Sequence, residues 1–266
     1  MVEIEIDWTK SVGENASIYF ERAKKLKKKL EGAKRALAEA KEKLKKLAQK
    51  IERERREKET KKERKKEWYE KFRWFFSSNG FLCIGGRDAT TNEIVIKKYT
   101  EKDDLVFHAD FSGAPFFVVK SQGKKIDKQS IEECGIAAGS FSKAWRLGLS
   151  YVDVYFVKPE QVSKKTKAGE YLTKGAFMIY GKKNYMKVEL KLAVGCAGGK
   201  VISGPVEAVA KQTKNYAVII PGNEKPSAIA KEIKKKLKCD ADLDEIIRML
   251  PPGESKIVKF VKGKQK

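Results

Sequence analysis

From Val12 the apolar positions recur in alternating steps of four and three: Val12, Ala16, Tyr19, Ala23, Leu26, Leu30, Ala33, Leu37, Ala40, Leu44, Leu47 and Ile51. That spacing is a heptad seam along one stripe of an α-helix. Ser11 followed by Glu14 fits a capping box and predicts a helix start near Val12. The same register then passes through the charged residues Glu54, Lys58, Lys61 and Lys65 before apolar side chains return at Trp68, Phe72 and Phe75. The aromatics of 68–76 therefore read as the buried face of the helix end, where it docks onto a larger body. No Pro interrupts 12–76, and a straight helix of that extent would reach roughly 90 Å at about 1.5 Å per residue. One helix cannot bury a one-sided seam by itself. The predicted partner is a second copy or a complementary arm from sequence upstream.

Beyond the aromatics, residues 81–84, 93–99, 105–109 and 115–120 read as strands, with a Gly-Gly turn carrying Arg87 and Asp88 between the first two. A helix is predicted over 130–147, with Ile131, Cys134, Ala137, Ala138, Phe141, Ala144 and Trp145 on its apolar side. A strand at 151–157, a basic loop, a strand at 177–180 and a GKKN turn at 181–184 follow. The last stretch reads as strands at 191–194, 200–210 and 216–220, then helices at 227–238 and 242–250, the second stopped by Pro251-Pro252-Gly253. The predicted class is α+β: a coiled-coil arm over 1–76, a mixed-sheet domain over 77–190 and a small α+β extension over 191–266.

Charge changes the picture more than composition does. The 266 residues carry a net charge of +23, and 41% of them are hydrophobic, enough for a real core. Between Glu21 and Glu67 stand 22 Lys/Arg against 10 Glu, so about half of the excess lies on the arm. A polyanionic partner is the first expectation. No apolar run approaches the roughly 20 residues that span a bilayer, and no secretory leader opens the chain. The expectation is a soluble, cytoplasmic protein without a membrane partner. Cys83, Cys134, Cys196 and Cys239 stand far apart with no CxxC pair, which predicts four buried free thiols, no metal site and no cofactor. His108 is the single histidine.

GGRDATTNE, VFHAD with its following GA, the helix with its AW, KPEQVSK, GEYL and FMIYGKKN occur here in that order. Together they resemble the NFACT-R domain of the NFACT proteins of ribosome-associated quality control, which include the RqcH-type proteins and the nuclear export mediator factor. The opening SVGENASIYFERAKKLKKK is similar to the start of that family's second coiled-coil stretch, so the resemblance covers about residues 7–190. It implies RNA binding within a factor that recognises large ribosomal subunits still blocked by peptidyl-tRNA, recruits tRNA and promotes C-terminal tailing of the stalled chain. The implied partners are the large ribosomal subunit, rRNA, tRNA and the family's NFACT-N region, to which its best-known functional residues belong. Ala176 and Tyr180 stand where the family commonly has Ser and Arg, Thr91 where Gln is usual, and Met186-Lys187 where a Pro pair is often found. No catalytic residue carries over.

For RNA contact the candidate cations in the signature domain are Arg73, Arg87, Lys97, Lys98, Lys120, Lys174, Lys182 and Lys183. On the arm they are Arg53, Arg55, Arg56, Lys61, Lys62 and Lys65. Lys and Arg supply counterion release along a phosphate backbone, and structured RNA is read by shape rather than base edges. The other reading of Arg87 and Asp88 is an internal ion pair that fixes the Gly-Gly turn. An RNA-processing nuclease would rest on Asp88, His108 and Asp110, with an imidazole beside a carboxylate for acid/base work. A third reading is a coiled-coil adaptor without RNA specificity of its own. The leading one is a non-catalytic RNA-binding module.

Overall fold

The structure is a computed structural model that describes residues 3–60, 67–111, 113–165 and 172–263, without the side chains of Lys50 and of 52–60. The chain divides between Lys66 and Glu67 into two compact units. In the second unit one core cluster holds side chains from both the 77–190 and the 191–266 stretches, among them Phe107 and Ile219.

In the first unit, α1 (Val12–Thr60) starts where the capping box predicts. Ser11 N donates to Glu14 Oε2 (2.8 Å), and Glu14 N donates to Ser11 Oγ (3.3 Å). Asn15 is buried beneath the preceding loop, accepting from Asp7 N and donating to the carbonyls of Asp7, Lys10 and Ser11. Along α1 the seam residues Leu26, Leu30, Leu37, Leu44, Leu47 and Ile51 are exposed, each by more than half. Residues 61–66 lie outside the described residues.

The aromatic run is not a helix end. Trp68–Lys71 form a single 3-10 turn, and β1 (Arg73–Phe76) is a strand. Phe72, Trp74 and Phe76 face one side and Arg73 and Phe75 the other, a run of bulky rings that satisfies a period of two as well as one of 3.6. β2 (Leu82–Gly85) follows as expected. The strand expected at 93–99 is instead α2 (Ala89–Lys98), nucleated by Asp88, which accepts from Thr91 N (2.8 Å) while Thr91 Oγ1 accepts from Asp88 N (2.9 Å). This reciprocal cap outweighs the strand propensity of Ile94, Val95 and Ile96.

Next come β3 (Leu105–Ala109) and β4 (Phe117–Val119), then α3 (Lys128–Ser140) and α4 (Lys143–Arg146). The helix expected over 130–147 is broken between these two, where the Ser142 side chain accepts from Ala144 N and caps a new turn. β5 (Tyr151–Val157), β6 (Val162–Ser163), β7 (Met178–Ile179) and β8 (Asn184–Glu189) complete this part. The strand β8 went unrecognised in the sequence, although Met186 and Val188 alternate with polar neighbours. β1-β2-β4-β3-β5-β8 is the order of a six-stranded sheet whose pairings are all antiparallel. Its central strands carry core on both faces: Phe107, Phe117, Val119 and Val154 belong to the core with α3, and Val106, Phe116, Val118 and Tyr155 to the core with Val95 of α2, while Tyr151 and Tyr185 at the β5–β8 end are exposed.

The C-terminal part comprises β9 (Leu192–Ala197), β10 (Lys200–Gly204), α5 (Val206–Gln212), β11 (Tyr216–Glu224), α6 (Pro226–Leu237), α7 (Leu243–Met249) and β12 (Ser255–Val261). The strand expected at 200–210 stops at Gly204, because Pro205 has no backbone N–H for the ladder and opens α5. A four-stranded antiparallel sheet, β10-β9-β11-β12, results. Its core side chains Leu192, Val194 and Ile219, with Ile229 of α6 and Ile246 of α7, are continuous with Phe75 and Cys83 of the larger sheet.

Two of the four cysteines depart from expectation. Cys83 and Cys134 are free and buried, but Cys196 and Cys239 are joined in a disulfide across 43 residues of sequence. The C-terminal end of α6 lies over the sheet that holds β9, a proximity no local spacing reveals. Replacing both residues, Cys196→Ser with Cys239→Ser, is expected to lower stability by roughly 2–4 kcal/mol, given the loop the bond closes. Thermal unfolding with and without reductant checks this: reductant should bring the wild type to the variant's midpoint and leave the variant unmoved.

Candidate functional site

Within the second unit a cleft of about 560 Å³ opens between the Gly-Gly turn, α4 and the 173–177 segment. Its cations are Arg73, Arg87, Lys143, Arg146 and Lys174, its aromatic residues Phe116, Phe141, Tyr155 and Phe177, and its one carboxylate is Asp88. His108 also lines it.

The floor is built from the Gly-Gly turn. A side chain at Gly86 would overlap Asn92 Oδ1, the atom that accepts from Phe116 N and ties α2 to β4. Arg87 follows, with Nη1 donating to Arg248 O (2.7 Å) and Nη2 to Phe72 O (2.9 Å). Arg73 donates to Leu250 O (3.3 Å), and its guanidinium carbon sits 4.1 Å from the centre of the Phe141 ring. Among the described residues neither guanidinium has a carboxylate in ion-pair range. Burial, and then the neighbouring Arg87, hold the Arg73 pKa down to about 9; burial and then Arg248 lower that of Arg87. Their hydrogen bonds go to neutral carbonyls, while Arg248 adds a further positive charge and Asp88, outside ion-pair range, a partly offsetting negative one. The ion pair envisaged between Arg87 and Asp88 is absent: the Asp88 carboxylate is committed to Thr91, whose backbone bond is the first cause of its lowered pKa.

One wall is held by Glu93. Its Oε1 lies 2.7 Å from Lys164 Nζ and accepts from Gly175 N (3.2 Å), and its Oε2 pairs with Lys97 at 3.3 Å. Gly175 packs against Ala89 with φ at +81°, a close approach and a left-handed backbone that suit only glycine. Lys164 lies 4.5 Å over the Phe177 ring, and Lys183 4.3 Å over that of Tyr155. His108 Nε2 is 3.1 Å from Ala114 O, and its ring packs on Phe116 at 4.4 Å. Burial lowers the His108 pKa, so the imidazole is neutral at pH 7; burial also pushes the Tyr155 phenol up to about 12.

Residues 71–181, which supply nearly all of this lining, match the family described as NFACT protein RNA binding domain. These residues form a domain of the NFACT family. The chain's archaeal relative from Methanocaldococcus jannaschii, the Rqc2 homolog aRqcH, is 46% identical over 200 residues, covering 73% of this chain and 30% of that protein. The ribosome quality control complex subunit NEMF homolog of Drosophila melanogaster is 37% identical over 188 residues, 69% of this chain and 18% of that one. Human NEMF, a subunit of the same complex, is 38% identical over 177 residues, 65% and 16%. The chain thus spans less than a third of the length of these relatives. Among solved structures, the C-terminal part of the fibronectin/fibrinogen-binding protein from Streptococcus suis is similar at 20% identity and a TM-score of 0.39, covering 47% of this chain and 48% of that one.

In this NFACT domain the structure gathers Arg73, Arg87 and Lys174 in the cleft and sets Lys183 over one of its rings. Lys97 and Lys98 are exposed on the last turn of α2, and Lys182 is exposed on the turn before β8. Lys120 is not a surface cation: it is buried, paired with buried Asp104 and donating to Tyr99 O (2.9 Å). Arg53, Arg55 and Arg56 belong to α1, with side chains outside the described set; Lys61, Lys62 and Lys65 lie outside the described residues. Lys143 and Arg146 were missed. Read as part of one helix from 130 to 147, they sit on its outer side; the break before Ser142 turns them into the cleft. Ser142 followed by Lys-Ala-Trp was the available signal, a cap residue inside an apolar helical pattern.

Arg87→Lys keeps the charge but cannot reach both carbonyls, so it is expected to cost about 2–3 kcal/mol and lower the melting midpoint by roughly 5–10 °C. Differential scanning calorimetry of the whole chain measures this. For Glu93 the bond from Lys164, and then that from Gly175 N, hold the carboxyl near a pKa of about 2 against an ordinary 4.5. A lowered carboxyl pKa stabilises the fold above about 4.5 and loses that effect as pH falls toward 2. The carboxyl carbon of Glu93, followed by NMR, should titrate about two units below a free glutamate, and Glu93→Gln should remove the corresponding acid-induced shift at Gly175 N–H.

Proposed function

We propose that this chain is the RNA-contacting, non-catalytic part of a ribosome quality-control factor, working in the cytoplasm on large ribosomal subunits that still hold peptidyl-tRNA. The observation that carries the reading is the cleft itself: five cations and four aromatic rings against one carboxylate that is already committed to a helix cap. Arg and Lys beside aromatic faces are what single strands and RNA backbones require. The family description is an RNA-binding domain, and the relatives are named as ribosome quality control subunits or an Rqc2 homolog, which supports the ribosomal setting. Contacts to rRNA and tRNA would hold the factor in place while the stalled chain receives its C-terminal tail. The exposed seam of α1 takes a complementary helix, from the NFACT-N-bearing remainder of the full-length protein or from a second copy.

Cleavage of RNA is the less favoured reading on the same geometry. Asp88 caps α2, His108 is engaged with Ala114 O, and among the described residues no three His, Cys, Asp or Glu come together to hold a metal.

The test is binding to tRNA and to ribosomal RNA fragments across a salt series, beside a version that begins at Glu67. Affinity should fall linearly on a log-log plot, by about 0.7–0.9 for each phosphate contacted, with a preference for one RNA and a smaller slope after truncation. Weak binding that is equal for RNA and heparin and unaffected by truncation would overturn the proposal.

A further inference from the structure

The cleft has a size and a charge pattern that a duplex does not explain. Its volume of about 560 Å³ lies within the roughly 300–1,000 Å³ of sites that enclose a small molecule. A double helix can only lie across such an opening. Inside it, Arg87 stands close enough to Arg73 to depress its charged form, and both give their hydrogen bonds to main-chain carbonyls. Carbonyls satisfy donors but leave the charge uncancelled, and buried cations ordinarily stand beside an anion. Around the rim Lys143, Arg146 and Lys174 are exposed, and none has a carboxylate in ion-pair range among the described residues.

We propose that this cleft receives one unstacked nucleotide of an RNA strand, its base against the aromatic wall at Phe177 and its phosphate among the rim cations. The inference rests on the RNA-contact reading and adds to it what part of an RNA enters. Stacking on a ring tolerates any base, and Tyr155, protonated at neutral pH, offers a hydroxyl rather than a negative charge. The rings, guanidiniums and rim cations together suit a ligand that is both planar and anionic, which a free phosphate is not.

The experiment uses the whole chain and two labelled RNA hairpins of one sequence, one blunt and one with a short single-stranded 3′ overhang. The combined variant Lys143→Ser, Arg146→Ser and Lys174→Ser alters exposed side chains only, so circular dichroism and the melting midpoint should stay at wild-type values. Lys234→Ser with Lys235→Ser on α6 removes two charges elsewhere as the control. The overhang hairpin is expected to bind at least about tenfold more tightly than the blunt one. The cleft variant should erase that difference while the control keeps it. Equal affinity of the wild type for both hairpins, or an equal loss for both in the cleft variant, would overturn the nucleotide assignment and leave RNA contact standing. Failure of both hairpins to bind would overturn the RNA reading itself. If adenosine monophosphate bound more tightly than the overhang hairpin, the cleft would be a free-nucleotide site and the RNA source would be overturned.

Discussion

Where β1, the Gly-Gly turn and α7 converge, two half-buried guanidiniums are held by the main chain. Arg87 spans Phe72 O and Arg248 O, and Arg73 reaches Leu250 O, so the beginning and the end of the second unit are tied through side chains between them. Because neutral oxygens hold these groups, the tie organises the fold without cancelling its positive charge. A carboxylate in the same place would have made a stronger pair and a less positive cleft. The balance between bonds satisfied and charge left over is what makes this junction both structural and receptive to an anion.

The six-stranded sheet depends on that junction for its shape. Its central strands β2, β4 and β3 are covered on both faces, and the enclosed cleft lies at the end where α2, α4 and the 173–177 segment leave a gap. Within the signature GGRDATTNE each conspicuous residue serves the local fold. Gly86 admits Asn92, Arg87 joins distant carbonyls, Asp88 and Thr91 start α2, and Glu93 anchors Lys164 and Gly175. A motif that looks like a ligand loop is first a structural brace. Its contribution to binding is the position it gives to neighbouring cations.

The buried Lys120–Asp104 pair shows why charge counts alone mislead about interfaces. A lysine in a basic protein looks like one more phosphate contact, yet this one is sealed inside with Tyr99 O and a carboxylate. Conversely, Lys143 and Arg146 carried no weight as members of a long helix and line the cleft once that helix is cut.

The sequence by itself determined the α+β class, the start of α1 at its capping box, most strands of the large sheet, the positive field and the family. Those features are written in local periodicity, cap chemistry and ordered motifs, all read within a few residues. It could not decide whether 68–76 and 93–99 were helix or strand, since crowded aromatics and β-branched runs satisfy both periods until neighbouring elements fix which face is buried. Nor could it reveal the Cys196–Cys239 bond, the burial of Lys120 or the grouping of Arg73, Arg87, Lys143, Arg146 and Lys174. Each of these is a meeting of residues far apart in the chain, and distance along the chain carries no information on distance in space until packing closes the intervening loops.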